Sequence, residues 1–288
     1  MVVPGYGFLA AANVARTLGL KVVFADVDIS SYCVNIENLK KVITKKTKLV
    51  IVIHLYGNMC EIDKIASFCK KKKIFLLEDS AQSLGSKFKG KNSGTFGDMG
   101  VFSFAASKTI TTGEGGALIL KNKNFYQKLL LYRSYGYVKG RYKCEVHGHN
   151  LRMSNLLASI GYSQMKRLKE ISKIRNKLFS VYKKKLKKKY YSMQIFNENV
   201  SPLPWAVPIK LHKRFSEKDR DFIIKKLKEN KIEVTNGYYS PDELKIFGKT
   251  KLPNSTHLSK RIISLPFYEE LTIKQVNIVC KKLDEIKL

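Results

Sequence analysis

An α/β fold built on a mostly parallel sheet, followed by a smaller α+β C-terminal part, is predicted from three features of the chain. Up to about residue 125, short runs of Val, Ile, Leu and Phe alternate with amphipathic stretches. The runs are continuously apolar rather than alternating, which is the pattern of strands covered on both faces. After a long helical stretch that starts at Met153, the order changes to strand, helix, strand, which does not prolong the first sheet. The reading therefore divides the chain into residues 1–175 and 176–288.

The elements follow in order. A helix is expected from about Phe8 to Leu18, then a strand over Leu20–Val27. Lys48–Leu55 is a second strand, backed by a helix over Ile62–Lys72. Ile74–Glu78 is a third strand, ending at Asp79, and Gly100–Phe104 and Ala117–Lys121 are two more. Between Met153 and Leu186 the apolar residues Leu156, Leu157, Ile160, Met165, Leu168, Ile171 and Ile174 keep helical spacing, which predicts a long helix broken once. Trp205–Leu211 reads as a strand, Glu217–Glu229 as a helix and Ile232–Thr235 as a strand, with further elements over Leu252–Ser264 and Thr272–Leu288. In a doubly wound sheet of this kind, ligands are expected at the carboxyl ends of the strands.

Composition narrows the function classes. Hydrophobic residues make up 44% of the chain, as in ordinary globular proteins, and no run approaches the ~20 apolar residues of a membrane helix. The N-terminus lacks the basic flank and apolar stretch of a secretory signal, so a cytoplasmic protein with no membrane partner is expected. The five cysteines are odd in number and form no Cys-x-x-Cys pair, which suggests free thiols in a reducing compartment. No spacing of His and Cys suggests a metal. The net charge of +31 invites a nucleic-acid reading, but nine of the 54 basic residues are Arg, the residue whose planar fork suits base edges and phosphates. The lysine clusters at Lys70–Lys73 and Lys183–Lys189 adjoin helical patterns, as on a solvated surface. No nucleic-acid partner is expected.

The chemistry concentrates in two segments. Asp79 follows Ile-Phe-Leu-Leu-Glu, where a buried strand emerges, and Gln82 lies three residues on. A carboxylate there serves equally well as a helix cap or as a ligand-binding group. Ser103 ends a later strand, and Lys108 follows it, ahead of Thr111-Thr112-Gly113-Glu114-Gly115-Gly116. These glycines come after the lysine, so the segment is not a Walker A loop.

The runs Glu78-Asp79-Ser80-Ala81-Gln82, Gly94-x-Phe96-Gly97-Asp98-x-Gly100-x-Phe102-Ser103-Phe104, Lys108 to Gly116, and Asn150-Leu-Arg152-Met153-Ser154-Asn155 together resemble the DegT/DnrJ/EryC1/StrS aminotransferases. The resemblance runs from Val2 to about Leu186 and resumes around Leu265–Thr272, and within the family it is nearest to perosamine-synthase-type enzymes. It implies a fold-type I enzyme that uses pyridoxal 5'-phosphate to aminate a nucleotide-linked keto-sugar, with glutamate as amino donor and a homodimer as the working unit. It also implies roles for individual residues. Lys108 carries the cofactor as a Schiff base and moves the proton, and Asp79 pairs with the ring nitrogen. Gln82 lies near the ring, Ser103 donates to the phosphate, and Asn150 reaches the phosphate of a neighbouring subunit. Family members also carry an earlier Gly-Thr-x-Ala motif at a phosphate-binding helix start, and Met1-Val2-Val3-Pro4 corresponds to the segment after it. A second reading is therefore a non-catalytic homologue, or a subunit that depends on a partner chain.

Overall fold

The computed structural model describes residues 1–138, 142–187, 190–248 and 250–287. Lys188 and Lys189 of the second lysine cluster, and Leu288 of the last expected element, lie outside them. The chain runs β1 (Val2–Pro4), α1 (Ala10–Thr17), β2 (Val23–Ala25), α2 (Ile36–Val42), β3 (Leu49–Ile53), α3 (Ile62–Lys72) and β4 (Phe75–Asp79). It continues through β5 (Lys87–Phe88), β6 (Lys91–Asn92), β7 (Met99–Ser103), β8 (Gly116–Leu120), α4 (Lys123–Arg133), α5 (Asn155–Lys166) and α6 (Leu168–Lys185). Last come β9 (Tyr191–Met193), β10 (Val200–Ser201), β11 (Val207–Leu211), α7 (Glu217–Glu229), β12 (Thr235–Asn236), α8 (Pro253–Ser259), β13 (Ile262–Leu265) and α9 (Ile273–Glu285).

The main sheet has the order β2-β1-β3-β4-β7-β8. Its pairs are parallel except β7 with β8, so the fold is α/β with a mostly parallel sheet, as the apolar runs predict. Successive residues of one strand enter opposite cores: Val50 and Val52 join the larger cluster with Leu39, Ile62 and Ile65, while Ile51 joins Ala12, Phe24, Phe247 and Leu252. This two-sided burial is why β3 shows no alternation in its sequence. A second sheet, β12-β13-β11-β9, is antiparallel and packs on α6, α7 and α9 around Leu178, Ile209, Ile223, Ile263 and Val279.

Helix boundaries follow local capping chemistry. The Ser216 hydroxyl caps α7 in a reciprocal box with Asp219, and Thr272 does the same for α9 with Gln275. Ser154 caps α5, and the helical stretch from Met153 breaks at Arg167, as expected. Two strand expectations are displaced. Trp205 lies ahead of β11, and Ile232–Val234 is irregular, with β12 beginning only at Thr235. Ile232 and Val234 are apolar because they are buried in the second core, not because they pair in a sheet. The larger departure is at β8, where Ala117, Leu118 and Ile119 are exposed although their sequence reads as a two-sided buried strand. No residue of α4 or α5 is buried either.

Candidate active site

The carboxyl ends of β1, β3, β4 and β7 converge on one crevice. Tyr6 follows β1, Tyr56 follows β3, Asp79 and Gln82 follow β4, and Ser103 closes β7. Beneath them lies a buried carboxylate that the sequence does not single out. Glu78 is wholly enclosed and accepts from the backbone N–H groups of Gly94, Phe96 and Gly97 at 2.9, 2.6 and 2.6 Å. It also pairs with His54 Nε2 at 2.9 Å. The Cys60 N–H points at His54 Nδ1, so Nε2 carries the proton that the carboxylate accepts. Burial opposes ionisation most strongly, but the His54 contact and the Gly97 and Gly94 amides together outweigh it, and the Glu78 pKa is lowered. The Gly94-x-Phe96-Gly97-Asp98 motif thus folds around Glu78, and Asp98 completes it by accepting from the Leu76 N–H at 2.9 Å. Gly100 must lack a side chain because a Cβ there would overlap the Gly94 carbonyl.

Glu78 points into this network, and the alternation of β4 sends Asp79 to the other side. Asp79 is at the strand end and its Oδ1 accepts from the Ala81 N–H at 3.0 Å; a turn and not a helix follows, so it caps no helix. Burial raises its pKa, opposed by that N–H and by the charge of Lys108. Burial lowers the pKa of the Lys108 amine, and the Asp79 charge opposes the shift. The two side chains therefore act on each other electrostatically within one half-buried crevice. Gln82 is buried and oriented at both ends of its amide: Oε1 accepts from the Tyr56 N–H at 3.2 Å, and Nε2 donates to the Tyr238 hydroxyl at 2.8 Å.

The loop that carries Lys108 is closed by its own hydroxyls. The Thr112 N–H and the Thr111 hydroxyl both donate to the Phe104 carbonyl, at 2.9 and 3.1 Å, and the Gly113 N–H donates to Thr111 Oγ1 at 2.9 Å. Thr109 and Ile110 are buried beneath it. The threonines after the lysine therefore fold the loop. An aromatic wall faces it: Tyr56 stacks on Trp205 at 6.0 Å and on Tyr238 at 5.9 Å between centroids, and Lys108 Nζ lies 4.6 Å from the Trp205 ring centroid. Tyr56, Trp205 and Tyr238 come from distant segments, and no sequence motif marks them.

Asp79, Gln82 and Lys108 are thus brought together, with Ser103 at the neighbouring strand end, where its Oγ lies 3.4 Å from the Ala105 N–H. Asn150 is elsewhere. It is exposed and bridges Ser134, and it lines an open cavity of about 520 Å³ with Arg133, Arg152, Met153, Ser154 and Asn155. It caps no helix, because Ser154 holds that position for α5.

The model of the DegT/DnrJ/EryC1/StrS aminotransferase family matches residues 1–284. The chain belongs to this family. A GDP-perosamine synthase of Vibrio cholerae is 34% identical over 287 residues, covering 97% of this chain and 77% of that protein. Among solved structures, Helicobacter pylori PseC, an aminotransferase involved in the biosynthesis of pseudoaminic acid, superposes with a TM-score of 0.92 at 25% identity, covering 99% of this chain and 78% of PseC. A GDP-4-keto-6-deoxy-D-mannose-3-dehydratase of E. coli with bound hydrated pyridoxal phosphate gives a TM-score of 0.88 at 25% identity, covering 98% of this chain and 79% of that one. The family is one of pyridoxal-phosphate enzymes, and the crevice suits that cofactor chemically. A half-buried amine with a lowered pKa suits an aldehyde, a half-buried carboxylate suits a protonated ring nitrogen, and a serine hydroxyl at a strand end suits a phosphate.

Proposed function

We propose that this enzyme transfers an amino group from glutamate to a nucleotide-linked keto-sugar, at C4 of a GDP- or dTDP-linked sugar, with Lys108 as the lysine that carries pyridoxal phosphate. The observation that carries the reading is the joint placement of Asp79, Gln82 and the Lys108 amine at the strand ends, in a chain matched to an aminotransferase family over nearly its whole length. The relative named GDP-perosamine synthase supports the sugar-nucleotide class. The non-catalytic reading is not favoured, since the lysine, its carboxylate and the amide that orients beside them are all in place.

When bound, pyridoxal phosphate supplies the carbonyl that receives the amino group and the ring that takes up the electrons of a deprotonated carbon. Lys108 Nζ would bind that carbonyl until the amino donor displaces it, and the freed amine would then move a proton as general base and acid. A lowered pKa leaves more of its amine uncharged near neutrality, which binding the carbonyl and accepting a proton both need. Asp79 would keep the ring nitrogen protonated, Gln82, its amide oriented by Tyr56 and Tyr238, would lie near the ring, and Ser103 would hold the phosphate.

The assembly is a homodimer in which Asn150 of one copy completes the phosphate site of the other. The exposed apolar residues of β8, α4 and α5, in the same part of the fold as Asn150, support this reading. Residues 1–175 form the cofactor-binding unit and 176–288 the smaller one, and the enzyme works in the cytoplasm; among the described residues no helix is long and apolar enough to cross a membrane. Purified protein incubated with pyridoxal phosphate should develop a visible absorbance band that bleaches with glutamate and returns with a keto-sugar nucleotide. A band equally strong in Lys108→Ala, or none in the parent, would defeat the reading.

A further inference from the structure

Trp205 is the only tryptophan in the chain, and it stands where three parts of the molecule meet. It comes from the segment that leads into β11 of the second sheet, yet its indole Nε1–H donates to the carbonyl of Ser107 at 2.9 Å, next to Lys108. The ring face lies 4.6 Å from Lys108 Nζ. Its own main chain is pinned on both sides. The Trp205 N–H donates to the Tyr56 carbonyl at 3.4 Å, and the Trp205 carbonyl accepts from the Arg175 guanidinium at 3.3 Å. Arg175 is itself buried and paired with Glu269.

The preceding residues are seated as closely. The Leu203 N–H donates to Ser86 Oγ at 2.9 Å, and that hydroxyl donates to the Gly57 carbonyl at 2.8 Å. Gly57 has φ +91°, and a Cβ there would lie 2.8 Å from the Pro204 Cα, so only glycine lets residues 203–205 lie against the turn after β3. A side chain held this firmly, and aimed at the backbone beside a reactive lysine, does more than fill space. Ala106 and Ser107 are themselves exposed, so the indole contact holds the loop at a point that its buried residues do not fix.

We propose that Trp205 is a positioning residue for Lys108: its indole N–H anchors the lysine loop to the segment that leads into β11, and its ring face gives the amine a fixed wall. The claim rests on the assignment of Lys108 above. It carries a consequence for the reaction, since small displacements of a reacting group lower the rate of the chemical step more than they weaken substrate binding.

Two replacements test it, Trp205→Phe and an isosteric substitution of this single tryptophan by benzothienylalanine, which keeps the bicyclic ring and deletes the N–H. Cofactor-free protein is labelled with a trace of acetic anhydride, and the rate at Lys108 is read by mass spectrometry against an exposed lysine such as Lys71. Both replacements should change the relative rate at Lys108 by about 5-fold or more. In the loaded enzyme they should lower kcat by about 10-fold while KM for the sugar nucleotide stays within about twofold and the melting temperature within a few degrees. Lys108 reactivity and kcat both within twofold of the parent would overturn the proposal, as would activity that falls only in step with the folded fraction. A parent protein that takes up no cofactor on Lys108 would defeat the proposed function, while the labelling of cofactor-free protein would still decide the role of Trp205.

Discussion

The crevice at the ends of β3 and β4 and the outer edge at β8 belong to one sheet, and they are finished to different degrees. In the crevice three side chains are held from distant parts of the sequence: Gln82 by Tyr56 and Tyr238, Glu78 by His54 and three amides, and Trp205 by Tyr56, Ser107 and Arg175. At the edge, Leu118 and Ile119 of β8 and Leu156, Ile160, Tyr162 and Met165 of α5 face outward. The difference teaches where the chain is self-sufficient. It assembles the lysine, carboxylate and amide by itself, whereas the surface beside Asn150 leaves apolar side chains exposed, as the proposed homodimer requires.

The comparison breaks most sharply at the lysine. Lys108→Ala removes the only group assigned to bind the cofactor carbonyl, and kcat should fall by about 10⁴-fold or more, measured by amino transfer to a keto-sugar nucleotide. Asp79→Asn keeps the shape and deletes the charge, and about a 10²-fold loss is expected. The sign of its second effect follows from the geometry. The Asp79 carboxylate favours the charged Lys108 amine, so its loss should move the pH midpoint of Lys108 labelling downward, adding to the lowering by burial. An upward or absent shift would contradict the assigned pairing.

A third test separates support from chemistry. Glu78→Gln places a neutral amide where four donors converge, and about 3 kcal/mol of stability should be lost on chemical denaturation. Because the folded-state pKa of Glu78 is depressed, its contribution is present above the usual carboxylate range and is lost as pH falls through the lowered value. The parent should therefore lose stability in acid more steeply than the variant. The smallest effect is expected at the edge. Leu156 is 74% exposed, and Leu156→Ser should leave the stability of a single chain within about 0.5 kcal/mol while reducing the mass in solution. Leu178, 3% exposed in the second core, should cost about 3 kcal/mol on the same change.

Much of the fold was legible because burial leaves a local mark: the run of β3, buried on both faces, the apolar run of β4 and the spacing of α3 and α7 match the observed elements closely. The Lys108 loop and the Asp79–Gln82 pair were legible as ordered motifs whose residues lie near one another in sequence. Trp205, Tyr56 and Tyr238 were not, since their meeting depends on the return of the chain through the second sheet. The role of Glu78 was not legible, because a carboxylate partnered by amides 16 to 19 residues on has no local signature. The edge misled in the opposite direction. Ala117-Leu118-Ile119 reads as an interior strand, and an apolar strand covered by another chain has the same composition as one covered by its own.

The central claim is that Lys108 binds the cofactor, and borohydride reduction of the protein loaded with pyridoxal phosphate tests it most directly. Reduction fixes the linkage, and digestion followed by mass spectrometry locates it. The account predicts one phosphopyridoxyl group per chain on the peptide that contains Lys108, and none there after prior bleaching with glutamate. A label spread over the many surface lysines, or settled on a different one, would contradict it.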